Sequence, residues 1–140
     1  MNGQDFLRIA HEAFEPFLKE LGFVMDEPSI SGRYYHVSFT AAKNAVSVSY
    51  EPSDNALFVI VFDRRNGQLS NIDDRGAPPR LADLNSQYMA TITQEERVAV
   101  AKRLESVAVR GHEEQQLLKA ARELRLVLPK YLCQWPSSRI

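Results

Sequence analysis

The sequence predicts an α+β fold: an N-terminal helix, a four- to five-stranded antiparallel meander, and two C-terminal helices packed as an αα-hairpin. Three observations lead to this class. An apolar hexamer, Leu57–Phe62, lies near the middle of the chain, two segments of alternating apolar and polar residues precede it, and apolar residues recur at helical spacing towards both ends. A chain of 140 residues is long enough for one such domain, which we expect to span residues 1–140.

The hexamer Leu57–Phe62 is rich in β-branched and aromatic residues, which favours a strand over a helix. Turn-forming residues flank it, with Pro52–Asn55 before it and Asn66–Gly67 after it. Because the hexamer has no polar face, we expect it to be buried on both faces and covered by the helices.

The N-terminal segment carries apolar residues at steps of three and four, which predicts an amphipathic helix. Gly22 ends this pattern and fits the position just after a helix C-cap. Pro16 lies inside the pattern, so we expect a kink or two helical pieces there, because proline lacks a backbone N–H and crowds the preceding turn. The apolar positions are Phe6, Ile9, Ala10, Ala13, Phe14, Phe17, Leu18 and Leu21.

Several segments are predicted to form the sheet. Tyr34–Thr40 and Val46–Tyr50 alternate, which indicates strands with one buried and one wetter face. Phe23–Met25 is short and comes shortly before a proline, as suits an edge strand. Asn66–Gly67 fits a type I′ hairpin turn, so Gln68–Ile72 can return beside the hexamer as a further edge strand.

The segment that follows the sheet contains the most charged loop of the chain. Asp73–Arg80 predicts an exposed loop stiffened by two prolines. Leu81, Leu84 and Tyr88 then indicate one or two helical turns, or an extended arm laid across the core.

The C-terminal part predicts two helices. Thr93 and Glu96 form a capping box at the start of the first helix, and Gly111 is expected to close it. The second helix is expected to end at Pro129, and the apolar tail at residues 131–136 to pack against the core.

Composition excludes several classes of function. The net charge is −1 with both signs interleaved, so no nucleic-acid partner is expected. The longest apolar run is the hexamer, far below the roughly 20 residues of a membrane span, and the first residues lack the basic region of a signal peptide. We therefore expect a cytoplasmic protein without membrane contact. Cys133 is the only cysteine and is expected to be a small buried hydrophobe.

No assembled set of catalytic residues is recognisable. His11, His36 and His112 are not spaced as metal ligands, and the six glycines form neither a dinucleotide-binding nor a Walker loop. We therefore expect a non-catalytic protein and assign no catalytic, cofactor-binding or metal-binding residues.

Three carboxylates leave one catalytic alternative open. Asp63, Asp73 and Asp74 follow the hexamer closely and can converge at one end of the sheet, where they can hold a divalent cation. Four arginines lie between residues 63 and 80, so charge pairing on a solvated loop is the competing explanation.

Amphipathic aromatic and charged residues predict a partner-binding surface, since such residues concentrate at interfaces. The predicted surface combines the charged loop with two tyrosines: Tyr34, Asp73, Asp74, Arg75, Arg80 and Tyr88.

Strand and turn residues between positions 14 and 75 resemble a layout found in small bacterial proteins of the toxin-immunity type. That resemblance implies a protein partner, bound through surface complementarity with charged residues at the contact. The near-neutral charge differs from the acidic surface expected against a nuclease, so a nuclease target is not supported. The strings concerned are Phe17-Leu18-Lys19-Glu20-Leu21-Gly22-Phe23, Tyr35-x-Val37-x-Phe39, Val46-x-Val48-x-Tyr50-Glu51-Pro52 and Leu57–Phe62.

Three functional hypotheses follow. The first is a protein-binding module, specifically an immunity protein that neutralises a cognate bacterial toxin. The second is a secretion chaperone that holds a client segment and forms a homodimer. The third is a small metal-dependent enzyme built on Asp63, Asp73 and Asp74.

Overall fold

The computed structural model describes residues 1–65, 68–69 and 78–133 and confirms the predicted α+β class. An N-terminal helical segment is followed by an antiparallel sheet and then by C-terminal helices. The helices are α1 (Gly3–Ile9), α2 (Glu15–Glu20), α3 (Leu81–Tyr88), α4 (Gln94–Leu104) and α5 (Gly111–Cys133). The strands are β1 (Val24–Met25), β2 (Ser29–Ile30), β3 (Tyr35–Thr40), β4 (Asn44–Glu51), β5 (Ala56–Arg65) and β6 (Gln68–Leu69).

The sheet is antiparallel with the strand order β1-β3-β4-β5-β6, and β2 pairs with β3 beside β1. Its centre is formed by β3, β4 and β5, in which Val37, Val48 and Val59 lie opposite one another. The predicted edge strand at Phe23–Met25 is found as β1. The predicted return strand Gln68–Ile72 is found as β6 over Gln68–Leu69, and residues 70–72 lie outside the described residues. The Asn66–Gly67 turn lies outside the described residues.

The prediction that the hexamer is buried on both faces is wrong. Val59 and Val61 are buried, whereas Phe58, Ile60 and Phe62 are half-buried and alternate with them. The buried residues of the helices pack into one core cluster, and the strand residues in that cluster come from one face of the sheet. β5 is therefore a strand of a two-layer fold, whose sheet has one face under the helices and one face without them among the described residues.

The N-terminal helical segment is divided into two pieces, as predicted from Pro16. A single π-helical turn, Ala10–Phe14, separates α1 from α2, and Pro16 lies in the first turn of α2. The helical segment continues through this turn, because the Glu15 N–H bonds the Ala10 carbonyl, so the missing N–H and the ring of Pro16 fall inside a helix and account for the wider turn before it. Asn2 caps the start of α1 by accepting a hydrogen bond from the Asp5 N–H at 2.8 Å.

The C-terminal helices differ from the prediction in two places. α4 begins at the predicted Thr93–Glu96 capping box but ends at Leu104, so Gly111 begins α5 instead of closing α4. α5 continues through Pro129 to Cys133, contrary to the predicted stop. Tyr131 and Leu132 pack against the core beyond the proline, and this packing favours continuation of the helix.

Leu81, Leu84 and Tyr88 lie on α3, so the helical alternative for this segment is the one observed. α3 and α4 both pack against α5. No helix of the described part of the chain is long and apolar enough to cross a membrane.

Candidate partner-binding surface

The face of the sheet that points away from the helices is the candidate functional site, and we call it the outer face. The register of β3, β4 and β5 arranges its side chains in three cross-strand rows. On this face, most positions of β3 and β4 carry serine or threonine, and the positions of β5 carry large apolar residues. The rows are His36–Ser49–Phe58, Ser38–Ser47–Ile60 and Thr40–Ala45–Phe62.

Two of the residues predicted to bind a partner lie at the two ends of one row. The Tyr34 ring stacks on the imidazole of His36, with centroids 5.9 Å apart and an angle of 8° between the ring planes. At the opposite end, the guanidinium carbon of Arg80 lies 5.7 Å from the centre of the Phe58 ring. Because Arg80 pairs with Ile60 as an isolated bridge beside β5, its side chain reaches the same row. Tyr34 and Arg80, distant in sequence, thus flank the row formed by His36, Ser49 and Phe58.

Hydrogen bonds fix the orientation of Tyr34. Its hydroxyl donates to Ser49 Oγ at 3.0 Å, and Ser49 Oγ lies 2.9 Å from His36 Nδ1. Burial lowers the pKa of His36, which favours a neutral imidazole that can accept the Ser49 hydroxyl proton. The tyrosine is 39% exposed, so it offers an exposed ring whose position is already set by its neighbours.

A serine and a histidine at hydrogen-bond distance are two parts of a nucleophile–base arrangement. The third part is a group that orients the histidine from its other ring nitrogen. Among the described residues, His36 has hydrogen bonds through Nδ1 to Ser49 and Tyr34 and none to a carboxylate. The cluster therefore orders the surface and does not form a triad within the described part of the chain.

A shallow recess of about 350 Å³ lies farther along the outer face. Asp26 borders it and accepts hydrogen bonds from the hydroxyls of Ser38 at 3.0 Å and Thr40 at 2.5 Å. Arg64 lies on its other side, where its guanidinium donates to the carbonyl oxygen of Ala41. The outer face therefore carries groups of both charges around an apolar centre.

Of the other predicted partner-binding residues, Tyr88 is not brought to this row. Tyr88 is 7% exposed within the core cluster, and burial raises the pKa of its phenol. Asp73, Asp74 and Arg75 lie outside the described residues.

The described residues contain no cluster that fits a metal ion. Asp63 is half-buried at the end of β5, where its carboxylate accepts a hydrogen bond from the Asn44 side chain at 3.4 Å. No group of three histidine, cysteine, aspartate or glutamate side chains is close enough to hold a metal in the described part of the chain. Cys133 is exposed at the end of α5, so the prediction that it is buried is wrong.

Sequence reasoning missed Ser49 and assigned no role to His36. The pattern contained a usable signal, because both residues fall on the polar side of predicted neighbouring strands joined by a short turn. A hairpin register drawn through that turn pairs His36 with Ser49, as the structure does.

Comparisons of the chain with family models, with curated proteins and with solved structures find no match. A function must therefore be inferred from the contacts of the chain itself.

Proposed function

We propose that this protein is a protein-binding module that binds a folded partner through the outer face, around the row between Tyr34 and Arg80. The specific form we propose is an immunity protein that neutralises a cognate bacterial toxin. The observation that carries the proposal is the convergence of Tyr34 and Arg80 on one row of the outer face.

The composition of the row supports binding to a protein. Tyrosine and arginine are enriched among the residues that contribute most to interface affinity. The Tyr34 ring is held by the Ser49 hydroxyl and the His36 ring, so little side-chain entropy is lost when a partner covers it. Between the two ends, the half-buried Phe58 ring supplies apolar surface.

The rest of the outer face supports a contact larger than the row. Ile60 and Phe62 continue the apolar strip along β5, and hydroxyl groups on β3 and β4 lie beside it. Asp26 and Arg64 border the strip with opposite charges. An apolar centre with a polar border is the usual arrangement of a protein–protein interface.

Growth rescue tests the toxin-neutralising form directly. The product of the gene adjacent to this one is expressed in a heterologous bacterium with and without this protein. We expect the product alone to arrest growth and co-expression to restore it. If the adjacent product is harmless, or if co-expression leaves growth arrested, the toxin-neutralising form is contradicted.

A pair of arginine substitutions tests the position of the interface in the same assay. Ser47→Arg places a large cation at the centre of the outer face, opposite Ser38 and Ile60, and we expect it to abolish rescue. Ser53→Arg makes the same change at an exposed position in the turn after β4 and serves as the control. Full rescue by both variants would remove the outer face from the proposal.

A further inference from the structure

A cleft of about 430 Å³ lies between the first half of β5 and the helices α3 and α5. Leu57 and Val59 form its wall on the sheet, Ala82 and Asn85 its wall on α3, and Gln116 lies on its α5 side. The cleft borders the outer face at Phe58 and Arg80, which line both.

The register shows that β5 turns unpaired main-chain groups into this cleft. The Arg64 N–H bonds the carbonyl of Lys43 on the β4 side, so even-numbered residues of β5 direct their main-chain groups towards β4. The Val61 N–H bonds the carbonyl of Pro79 on the opposite side, as expected for odd-numbered residues. Leu57 therefore directs its N–H and C=O groups away from β4.

No described strand pairs with β5 at this point. Arg80 lies opposite Ile60, and the chain then enters α3 at Leu81, so the positions that would face Leu57 are helical. At the other edge of the sheet, β1 and β2 both pair with β3. In the described part of the chain, β5 at Leu57 is thus a strand edge without a partner strand, a feature that natural proteins usually cover.

Two buried oxygen atoms near the cleft lack hydrogen-bond partners among the described residues: Asn85 Oδ1 and Gln116 Oε1. The Asn85 amide nitrogen donates to Glu123 Oε1 at 3.1 Å, which fixes the oxygen of Asn85 as the remaining acceptor. Buried acceptors without partners are uncommon because they lose their hydration without compensation. Both oxygens are enclosed by their neighbours, so each reaches a donor in the cleft only after its side chain turns.

We propose that an extended segment of a partner polypeptide binds in this cleft as an additional strand on β5. Main-chain groups of the segment pair with the outward N–H and C=O of Leu57, and N–H groups of the segment donate to Asn85 and Gln116 once these side chains turn into the cleft. Strand addition fits this chemistry because an extended chain presents donors and acceptors at the spacing of the β5 edge. The inference rests on the proposed protein-binding function and adds a second site beside the outer face.

A displayed library of short linear random peptides tests the cleft without knowledge of the partner. We expect the wild-type protein to enrich a peptide family, and Ala82→Trp to lower the affinity of these peptides roughly tenfold or more. Ala82 is exposed in the first turn of α3, so the larger ring fills the cleft without disturbing the core. Ala101→Trp, at an exposed position on α4, is the matched control and should bind the peptides as the wild type does.

Amide hydrogen exchange supplies a readout that is specific to strand addition. The Leu57 amide should exchange quickly in the free protein and become protected in the peptide complex, because its N–H points away from β4. The Phe58 amide faces β4 and should be protected in both states. The proposal is overturned if no peptide is enriched, if the enriched peptides bind Ala82→Trp as well as the wild type, or if the Leu57 amide exchanges equally fast with peptide bound.

The two proposals can fail separately. Ser47→Arg changes a residue of the outer face that does not line the cleft, and it should leave peptide binding unchanged. Loss of growth rescue with intact peptide binding would locate the partner on the outer face and the segment in the cleft. Loss of peptide binding in Ser47→Arg would contradict a separate cleft site.

Discussion

The two faces of the sheet differ although the same three strands form them. On the face under the helices, Val37, Val48 and Val59 form one row and are at most 5% exposed. The neighbouring residue on each strand points to the outer face. There the row His36–Ser49–Phe58 carries an imidazole stacked on the Tyr34 ring, a hydroxyl, and an aromatic ring beside Arg80. The first face contributes apolar burial to stability, and the second offers groups that a partner can bind.

Two tyrosine hydroxyls show the same contrast. Tyr50 is 1% exposed, and its hydroxyl lies 2.8 Å from Asn55 Oδ1 and 3.2 Å from Glu113 Oε2, either of which can accept its proton. Tyr34 is 39% exposed and donates to Ser49. Substitutions matched across the two faces should therefore affect folding and binding differently.

The largest expected effect is on the face under the helices. Phe39 is fully buried and stacks on Phe14, so Phe39→Ala should lower the free energy of unfolding by about 3–5 kcal/mol. Phe62→Ala removes a half-buried ring from the outer face and should cost about 1–2 kcal/mol. Denaturant unfolding measures both values. Equal losses would contradict the difference between the faces.

Removal of one hydroxyl gives the next comparison. Tyr50→Phe removes a buried hydroxyl that contacts Asn55 and the Glu113 carboxylate, and it should cost about 1.5–3 kcal/mol because one acceptor is charged, as measured by denaturant unfolding. Tyr34→Phe removes a partly exposed hydrogen bond and should cost about 1 kcal/mol or less. A greater loss for Tyr34→Phe than for Tyr50→Phe would reverse the comparison.

Alkaline pH should lower the stability of the fold through the buried Tyr50. Burial and the neighbouring Glu113 carboxylate raise the pKa of Tyr50 to about 12. Between the ordinary tyrosine pKa and this value, the folded state binds more protons than the unfolded state, so stability falls as pH rises. We expect unfolding curves recorded from about pH 10 to about pH 12 to show a smaller loss for Tyr50→Phe than for the wild type. Identical slopes would indicate that Tyr50 ionises normally.

Mildly acidic pH should lower the stability of the fold through His36 on the outer face. Burial lowers the pKa of His36 from its ordinary value of 6.5, so the folded state binds fewer protons than the unfolded state below that pH. The contribution of the neutral imidazole is complete above pH 6.5 and is lost as pH falls through the folded pKa. His36→Gln should remove this part of the pH dependence in thermal unfolding between neutral and acidic pH. An unchanged pH dependence in His36→Gln would contradict the assignment of this effect to His36.

Local patterns in the sequence were sufficient to predict most elements of the fold. The alternation of Tyr35, Val37 and Phe39 identifies the buried face of β3 because each strand residue points opposite to its neighbour. The continuous hexamer was misleading, since Phe58 and Phe62 lie half-buried on the outer face, which no helix of the described residues covers. The end of α5 was also missed, because the packing of residues beyond Pro129 is a tertiary property.

The candidate site was predictable only in part. Tyr34 and Arg80 were both chosen from the sequence, but their relation depends on how Arg80 pairs with Ile60 after the chain has left β5 and returned. No local pattern determines that path. The strand edge at Leu57 could not be predicted for the same reason, because it depends on where the returning chain enters α3.

The affinity of the partner for Tyr34→Ala tests the central claim most directly. The product of the adjacent gene is titrated into wild-type protein and into the variant by calorimetry, and the unfolding free energy of each is measured alongside. We expect the dissociation constant to rise roughly tenfold or more while the free energy of unfolding falls by about 1–2 kcal/mol, because the partly exposed ring contributes to binding as well as to folding. An unchanged dissociation constant would contradict the assignment of the outer face as the binding surface.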